Sequence, residues 1–404
     1  MKCRFSGEEI PEILTFGKMP LGNGFLKDQN PQDEYFFKMS VSVNNSIGLL
    51  QLNEQPDPNK MFHENYAFYS RSSALMMEHF KDLSNEIQSL LDKNFSSDNN
   101  QFVVEVGSND GVMLEHLVKA NVSCLGIEPS KNVAEISHQY GVTTVNKFMS
   151  VETADQVISE YQQANVIYSA NVFCHIPDIN DLAQACSNLL KDGGYLIFED
   201  PYLADILEKV SYDQIYDEHV FLFSCYAVQN IFIKYGMQLI DCKPLNTHGG
   251  SMRYYLKKTG SIETSRQLDN QFKHEESLGI LSLKSYKDFA SKCEEAKIGF
   301  KNKLTSLKDN QKSIVGYGAT SKSTTILNYC EVGPELIDFI VDTTPTKQNM
   351  FTPGKHIPVL PYEHFLPHPD VAVLFAWNHQ KEIIAKEGAF KGEWMTHLHH
   401  EYKG

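Results

Sequence analysis

At 404 residues the chain has material for two to three domains with cores of their own, so a small disulfide scaffold is excluded. An apolar fraction of 42% with 22% charged residues is that of a globular protein and rules out wholesale disorder. Lys and Arg total 36 against 51 Asp and Glu, a net charge of −15, which argues against a broad nucleic-acid-binding surface while allowing a local basic pocket.

The opening stretch, Met1 to Ile13, mixes Lys2 and Arg4 with Glu8, Glu9 and Glu12 and lacks the apolar run of a signal peptide. Up to residue 72, short apolar runs are broken by turn residues, as in Pro20-Leu21-Gly22-Asn23-Gly24, predicting a small strand-and-loop module. From Met76 the period changes: Met76, Phe80, Leu83, Ile87, Leu90 and Leu91 make one helix face. Between residues 73 and 258, strand-like runs (Phe102 to Val106, Ser123 to Ile127, Val166 to Ser169, Tyr195 to Glu199) alternate with helical ones, predicting an α/β domain with a parallel sheet. Met237 to Lys243 and Ser251 to Lys257 lie too close for a helical crossover and should pair antiparallel. Residues 259–310 form a helical connector in which Phe289, Cys293, Ala296, Phe300, Leu304 and Leu307 recur at helical spacing. In residues 311–404, strand-like Ser313 to Gly318, Leu336 to Asp342 and Val371 to Ala376 flank helical Ser321 to Tyr329 and Gln380 to Phe390, giving a second α/β domain.

The longest apolar stretch, around Val220 to Val228, falls far short of the ~20 residues of a membrane span. The 8 cysteines include no CxxC pair, which suits buried thiols in a reducing compartment. A cytoplasmic protein, expected to be monomeric and without membrane or nucleic-acid partners, follows. His397, His399 and His400 read as a solvated tail rather than a metal site.

A strand, a glycine turn and a helix start succeed one another at Val103 to Leu114, with Glu105 before the turn and Gly107, Ser108, Asn109 and Gly111 in it. Glycines at 107 and 111 let backbone approach a ligand. The next strand ends in Glu128, placed to bind the hydroxyls of a ribose, and Asn171 follows a later strand. The turn is not GxGxxG, and a carboxylate ahead of it suits a cationic ligand with an amino-acid tail, such as S-adenosylmethionine, better than a pyrophosphate.

Strings along nearly the whole chain carry a further resemblance: MFHENY at Met61 to Tyr66, EVGSNDGVML at Glu105 to Leu114, NVFCHIPD at Asn171 to Asp178, FEDPYL at Phe198 to Leu203, DQIYDEH at Asp213 to His219, HGGSMRY at His248 to Tyr254, GYGATSKS at Gly316 to Ser323 and DTTPTKQN at Asp342 to Asn349. With them the sequence resembles the sugar C-methyltransferases that add a branch methyl to nucleotide-linked 4-keto-deoxysugars. The resemblance implies an N-terminal zinc-binding module, a central class I methyltransferase domain with a seven-stranded Rossmann-like sheet and a reversed last strand, and a C-terminal Rossmann-like domain. One departure matters. The two CxxC pairs of the family's module fall here on Cys3 and Ser6 and on Asn44 and Ile47, one thiolate where a tetrahedral site needs four ligands, so zinc is expected to be absent.

Bonding carbon to a sulfonium methyl requires a base that makes a carbanion equivalent beside a ketone, and a donor to the oxyanion. Resemblance assigns His219 as the base with Tyr216 and Glu218 beside it, although a histidine in an apolar-flanked run also serves as a structural hydrogen bonder. His175 is placed to polarise the keto oxygen or orient the sugar, or else to cap the helix near Pro177. Tyr66 closes the sugar pocket or packs in a core. Gly316, Gly318, Thr320 and Lys322 make a second strand, turn and helix start, with Asp342 ending the next strand; exposed amides plus a lysine suit a diphosphate, and an NAD site equally. Resemblance favours the diphosphate, with Lys347, Arg253 and His248 nearby. The reaction expected is methylation at C3 of an NDP-4-keto-6-deoxysugar; C5- or O-methylation, or an NAD-dependent oxidoreductase or binding protein, are the alternatives.

Overall fold

The computed structural model describes residues 1–29, 32–57, 69–259 and 263–398. Strands β1 (Glu12–Pro20), β2 (Phe36–Asn44) and β3 (Leu49–Leu52) form an antiparallel meander whose inward residues, among them Leu14, Phe16, Met39, Val41 and Val43, follow the period of two. Helix α1 (Ala74–Phe95) starts where the Ser73 side chain accepts the Met76 N–H, and it buries Phe80, Leu83, Ile87 and Leu91. Each of those side chains contributes ~1.5–3 kcal/mol of burial.

The central sheet begins with β4 (Phe102–Val106), runs through α2 (Val112–Lys119) to β5 (Ser123–Ile127), and through α3 (Lys131–Gln139) to β6 (Thr144–Val145). After α4 (Val151–Glu160), β7 (Ala164–Ala170) enters on the other side of β4 and is followed by α5 (Ile179–Leu189) and β8 (Leu190–Pro201). All five strands are parallel, as the helical crossovers require. Helix α6 (Leu203–Lys209) leads to β9 (Phe221–Leu222), which leaves this sheet and pairs with β3 of the N-terminal meander. The first module is therefore a four-stranded sheet that borrows its edge from beyond residue 72. Helix α7 (Cys225–Ile233) then precedes β10 (Met237–Leu245) and β11 (Ser251–Lys258), an antiparallel pair; β11 inserts between β10 and β8, giving seven strands with the last one reversed. This is the class I methyltransferase topology expected from the sequence.

Helices α8 (Arg266–Ser277) and α9 (Leu283–Asp309) carry the chain onward, with Phe289, Cys293, Ala296, Phe300 and Leu304 buried along α9. The last domain has β12 (Ile314–Tyr317), α10 (Ser321–Tyr329), β13 (Ile340–Asp342), β14 (Met350–Phe351), β15 (Pro358–Pro361), β16 (Val371–Leu374), α11 (Gln380–Lys386) and β17 (Glu393–Met395). Its six-stranded sheet is parallel except for the short edge strand β14. Three contacts lock the parts together: β9 in the N-terminal sheet, a bridge from Leu26 to Phe351, and the Thr324 hydroxyl on the Gly22 carbonyl at 2.8 Å. Among the described residues, no helix is long and apolar enough to cross a membrane.

Candidate active site

The turn after β4 is built from backbone that only small or left-handed residues allow. Gly107 and Gly111 both sit at φ +72°, and a Cβ on Gly107 would overlap the Val172 side chain. Asn109 and Asn171 also take left-handed conformations, φ +48° and +54°. Glu128, at the end of β5, clamps the turn: its two oxygens accept the Asn109 N–H at 3.0 Å and the Ser130 N–H at 2.8 Å. Ser108 tucks its side chain against Gly126. Glu105 is buried, and its Oε2 has no hydrogen-bond partner among the described residues. Burial, then the neighbouring Asp110 and Glu128, push its carboxyl well above the usual range. A buried acid without a partner beside two more acids is a site for a cation. These residues fit S-adenosylmethionine, which carries positive charge on its ammonium and sulfonium groups; Glu105, Glu128 and the Gly107–Gly111 backbone would hold it.

Past the ends of β7 and β8 lie the two histidines. His175 ends a short turn over Phe173–His175, stacked on His219 with ring centroids 5.4 Å apart. It does not cap the following helix, whose N-cap is Asp178. His219 is buried, its Nδ1 is 2.7 Å from the Gln214 carbonyl, and the Tyr216 ring lies 4.1 Å away. Because a carbonyl only accepts, Nδ1 carries the proton and Nε2 keeps its lone pair. Burial drives both imidazoles toward the neutral form, His175 to about 4 and His219 well below its usual value, the latter helped by His175. Cys174, adjacent to His175, brings its thiol into the group, so that one donor atom from each of Cys174, His175 and His219 lies within 4.8 Å of the others. Nothing in the spacing of residues 174 and 219 announces that meeting.

The same segment touches the other two parts. Asn23, from the loop after β1, donates to Glu218 at 3.0 Å, and the Gly22 N–H donates to Asp217 at 3.0 Å. Burial raises both carboxyls, and the Glu218 charge adds to the effect on Asp217. In the C-terminal domain Gly318 adopts φ +88°, Thr320 caps α10 reciprocally with Ser323, and Asp342 accepts the Ala319 and Thr344 N–H groups at 2.7 Å each. Two cations stand at this turn. Lys322 donates to the His248 carbonyl at 3.0 Å, and Lys347 donates to the Ala319 carbonyl at 2.8 Å. Burial lowers both, Lys322 to about 8, while Asp213 opposes the effect at Lys322 and Asp342 and Glu218 oppose it at Lys347. Among the described residues neither ammonium has a carboxylate within salt-bridge distance, a cationic pair suited to an anion. His248 sits at φ +53° beside them.

Two expectations change. Arg253 is not a substrate cation: it lies buried in β11, with Glu199 at 2.5 Å and Glu86 at 2.6 Å occupying its guanidinium. His397 is not on a solvated tail; it is 3% exposed, with Nε2 3.0 Å from Asp213. Tyr66, His399 and His400 lie outside the described residues. At the N-terminus three of the four positions that match the family's cysteines bond to one another. Asn44 Nδ2 is 3.4 Å from both Cys3 Sγ and Ser6 Oγ, the Ser6 N–H donates to Cys3 Sγ at 3.5 Å, and Ile47 packs on the core. One thiol, a hydroxyl, an amide and an aliphatic side chain do not make a tetrahedral zinc site.

Three sequence-family models match the chain: "Methyltransferase domain" over residues 75–241, "C-methyltransferase C-terminal domain" over 246–398, and "Putative zinc binding domain" over 3–62. The chain is 28% identical over 393 residues to the C-methyltransferase NovU of Streptomyces niveus, covering 96% of this chain and 92% of that one. A ubiquinone biosynthesis O-methyltransferase of Hydrogenovibrio crunogenus is 24% identical over 108 residues, 26% of this chain and 45% of its own length. Among solved structures, a SAM-dependent methyltransferase of Anabaena variabilis superposes with a TM-score of 0.34 at 18% identity, over 43% of this chain and 84% of that one. The chain is a S-adenosylmethionine-dependent methyltransferase, and its likeness over nearly its full length is to a C-methyltransferase.

Proposed function

We propose that this methyltransferase adds a methyl branch to a carbon next to the ketone, C3, of a nucleotide-linked 4-keto-6-deoxysugar. One observation carries the reading: a buried, neutral histidine with a free Nε2 lone pair, His219, stands in the segment that meets a cationic turn, Lys322 and Lys347, and stacks on His175, whose near neighbour Val172 lies against Gly107 of the acid-lined turn for a cationic cofactor. When bound, S-adenosylmethionine supplies an electrophilic methyl group. His219 Nε2 takes the proton from the carbon beside the ketone, a step worth roughly 10²- to 10⁴-fold as general-base catalysis. His175 and Tyr216, packed on either side of that ring, are the donors for the enolate oxygen, each worth at most ~10²- to 10³-fold. Glu218, held by Asn23, orients the sugar, and Lys322 and Lys347 take the diphosphate at the start of α10. Arg253 has no part in it.

The module at the N-terminus works in this reading without zinc, its Cys3, Ser6 and Asn44 bonded to one another. Seven buried thiols and one half-buried thiol, all unpaired, suit residence in the reducing cytoplasm. The deciding experiment incubates the enzyme with S-adenosylmethionine and a panel of NDP-4-keto-6-deoxysugars, followed by mass and NMR analysis. A new methyl on C3 supports the proposal; a methyl on oxygen or on C5 overturns it. Elemental analysis of tag-free protein should give no stoichiometric zinc.

A further inference from the structure

The base does not hold itself in place. The Gln214 carbonyl that fixes His219 Nδ1 belongs to a one-turn segment, Tyr212–Gln214, and the next residue back, Asp213, is fully buried, its carboxylate bonded to no residue of its own domain among the described residues. Both Asp213 oxygens are taken by the C-terminal domain instead: Trp377 Nε1 donates to Oδ2 at 2.7 Å, and His397 Nε2 lies 3.0 Å from Oδ1. Trp377 is itself wedged. Its ring occupies the space a side chain on Gly249 would fill, and the Lys322 ammonium lies 5.4 Å above its centre. The Gln214 side chain closes the ring of contacts by donating to the His248 carbonyl, the same oxygen that Lys322 bonds. Against the effect of burial, His397, Lys322 and Trp377 hold Asp213 below the usual carboxylate range, so it is a fixed anion.

We propose that Asp213 is a positioning residue for the base, and that the C-terminal domain takes part in the chemical step by gripping Asp213 through Trp377 and His397. A two-residue strand and a one-turn segment have little backbone bonding to fix a carbonyl against an imidazole; two side-chain bonds to the C-terminal domain add constraint. The inference rests on His219 being the base. It goes beyond that assignment by giving the distal domain a catalytic consequence apart from holding substrate.

The charged and titratable groups facing His219 are Cys174 and His175 after β7, His248 between β10 and β11, Lys322 of the C-terminal domain, and Tyr216, Asp217 and Glu218 on its own segment. His175, Lys322 and His248 depress its protonation, and the Gln214 carbonyl opposes them. Loosening that carbonyl therefore makes His219 a weaker base and moves the acidic limb of kcat to lower pH. In the full chain, Asp213→Asn should lower kcat about ten-fold or more, shift that limb downward, and leave the affinity for S-adenosylhomocysteine within about two-fold. Trp377→Phe and His397→Leu should move the same limb by less, and His397→Gln, which keeps an N–H donor, should restore it. If Asp213→Asn yields no folded protein, the His397→Leu and His397→Gln pair decides by the same readouts. A lowered melting temperature with kcat and the limb unmoved would overturn the inference. His219→Asn, measured in parallel, separates the two ideas: full turnover there removes the base assignment, whereas an inactive His219→Asn beside an unmoved limb in the others removes only the role of Asp213.

Discussion

Two turns in this chain share one backbone device and differ in charge. At Gly107–Gly111 and at Gly316–Lys322 a strand ends in a left-handed glycine, a helix follows, and an acid at the end of the neighbouring strand accepts one amide of the turn and one from two residues after itself: Glu128 takes Asn109 and Ser130, Asp342 takes Ala319 and Thr344. What surrounds them is opposite in sign. The first is lined by Glu105 and Asp110, the second by Lys322 and Lys347. A glycine turn thus provides close backbone approach, and the side chains around it choose between a cation and an anion. That is why the glycine spacing alone does not give the sign of the ligand's charge, whereas the lysines of the second turn point to an anion.

The largest effect expected from breaking this symmetry is at Gly107. A branched side chain there meets Val172 and demands a left-handed backbone, so Gly107→Val should abolish S-adenosylhomocysteine binding by calorimetry, a loss of 100-fold or more for ~3 kcal/mol of strain and overlap. Next comes the cationic turn. Lys322→Met or Lys347→Met removes a charge-assisted contact worth ~1.5–3 kcal/mol and should raise KM for the nucleotide sugar roughly 10- to 100-fold with S-adenosylhomocysteine affinity unchanged. An unchanged KM in both would remove the anion site.

Glu105→Gln probes the acidic turn more gently. The folded state raises this carboxyl above its unfolded value, so it adds stability below about pH 4.5 that is lost as pH rises through the folded value. A neutral amide escapes that loss. The variant without ligand should melt ~2 °C or more higher at pH 8, with the gain shrinking toward pH 4.5, and should bind S-adenosylmethionine less tightly. A lower melting temperature at pH 8 would mean the carboxyl is paired.

Much of this architecture is legible in sequence because period and spacing encode it locally. Phe102 to Val106 and Ser321 to Tyr329 are bounded by their own residues: a β-branched run before glycine, and a Thr320/Ser323 cap. The site is legible only where its chemistry is contiguous, as in Tyr216 to His219. Long-range pairing is not. Nothing near Phe221 says that two residues will complete a sheet begun at Glu12. Arg253 looks like a free cation in sequence because Glu86 and Glu199, which neutralise it, lie on other elements. His397 looks like a tail residue because Asp213 is 184 positions away. In each case the deciding partner is brought by the fold.

The finest test compares the two clamping acids, where the expected effects are smallest. Glu128→Gln and Asp342→Asn each keep one acceptor oxygen and turn an amide group toward the second main-chain N–H, so each turn keeps one clamp bond and loses the other. A net hydrogen bond is worth ~0.5–1.5 kcal/mol, which sets a roughly 3- to 10-fold change in whatever that turn binds. Burial raises the Glu128 carboxyl despite the two amides it accepts, so its neutral replacement carries less desolvation cost and should leave the melting temperature level or slightly up. Glu128→Gln should therefore weaken S-adenosylhomocysteine binding while KM for the nucleotide sugar holds, and Asp342→Asn should do the reverse. Should either variant weaken both ligands alike, the turns do not act as separate sites, and the sign of the charge around each is no longer what selects its ligand.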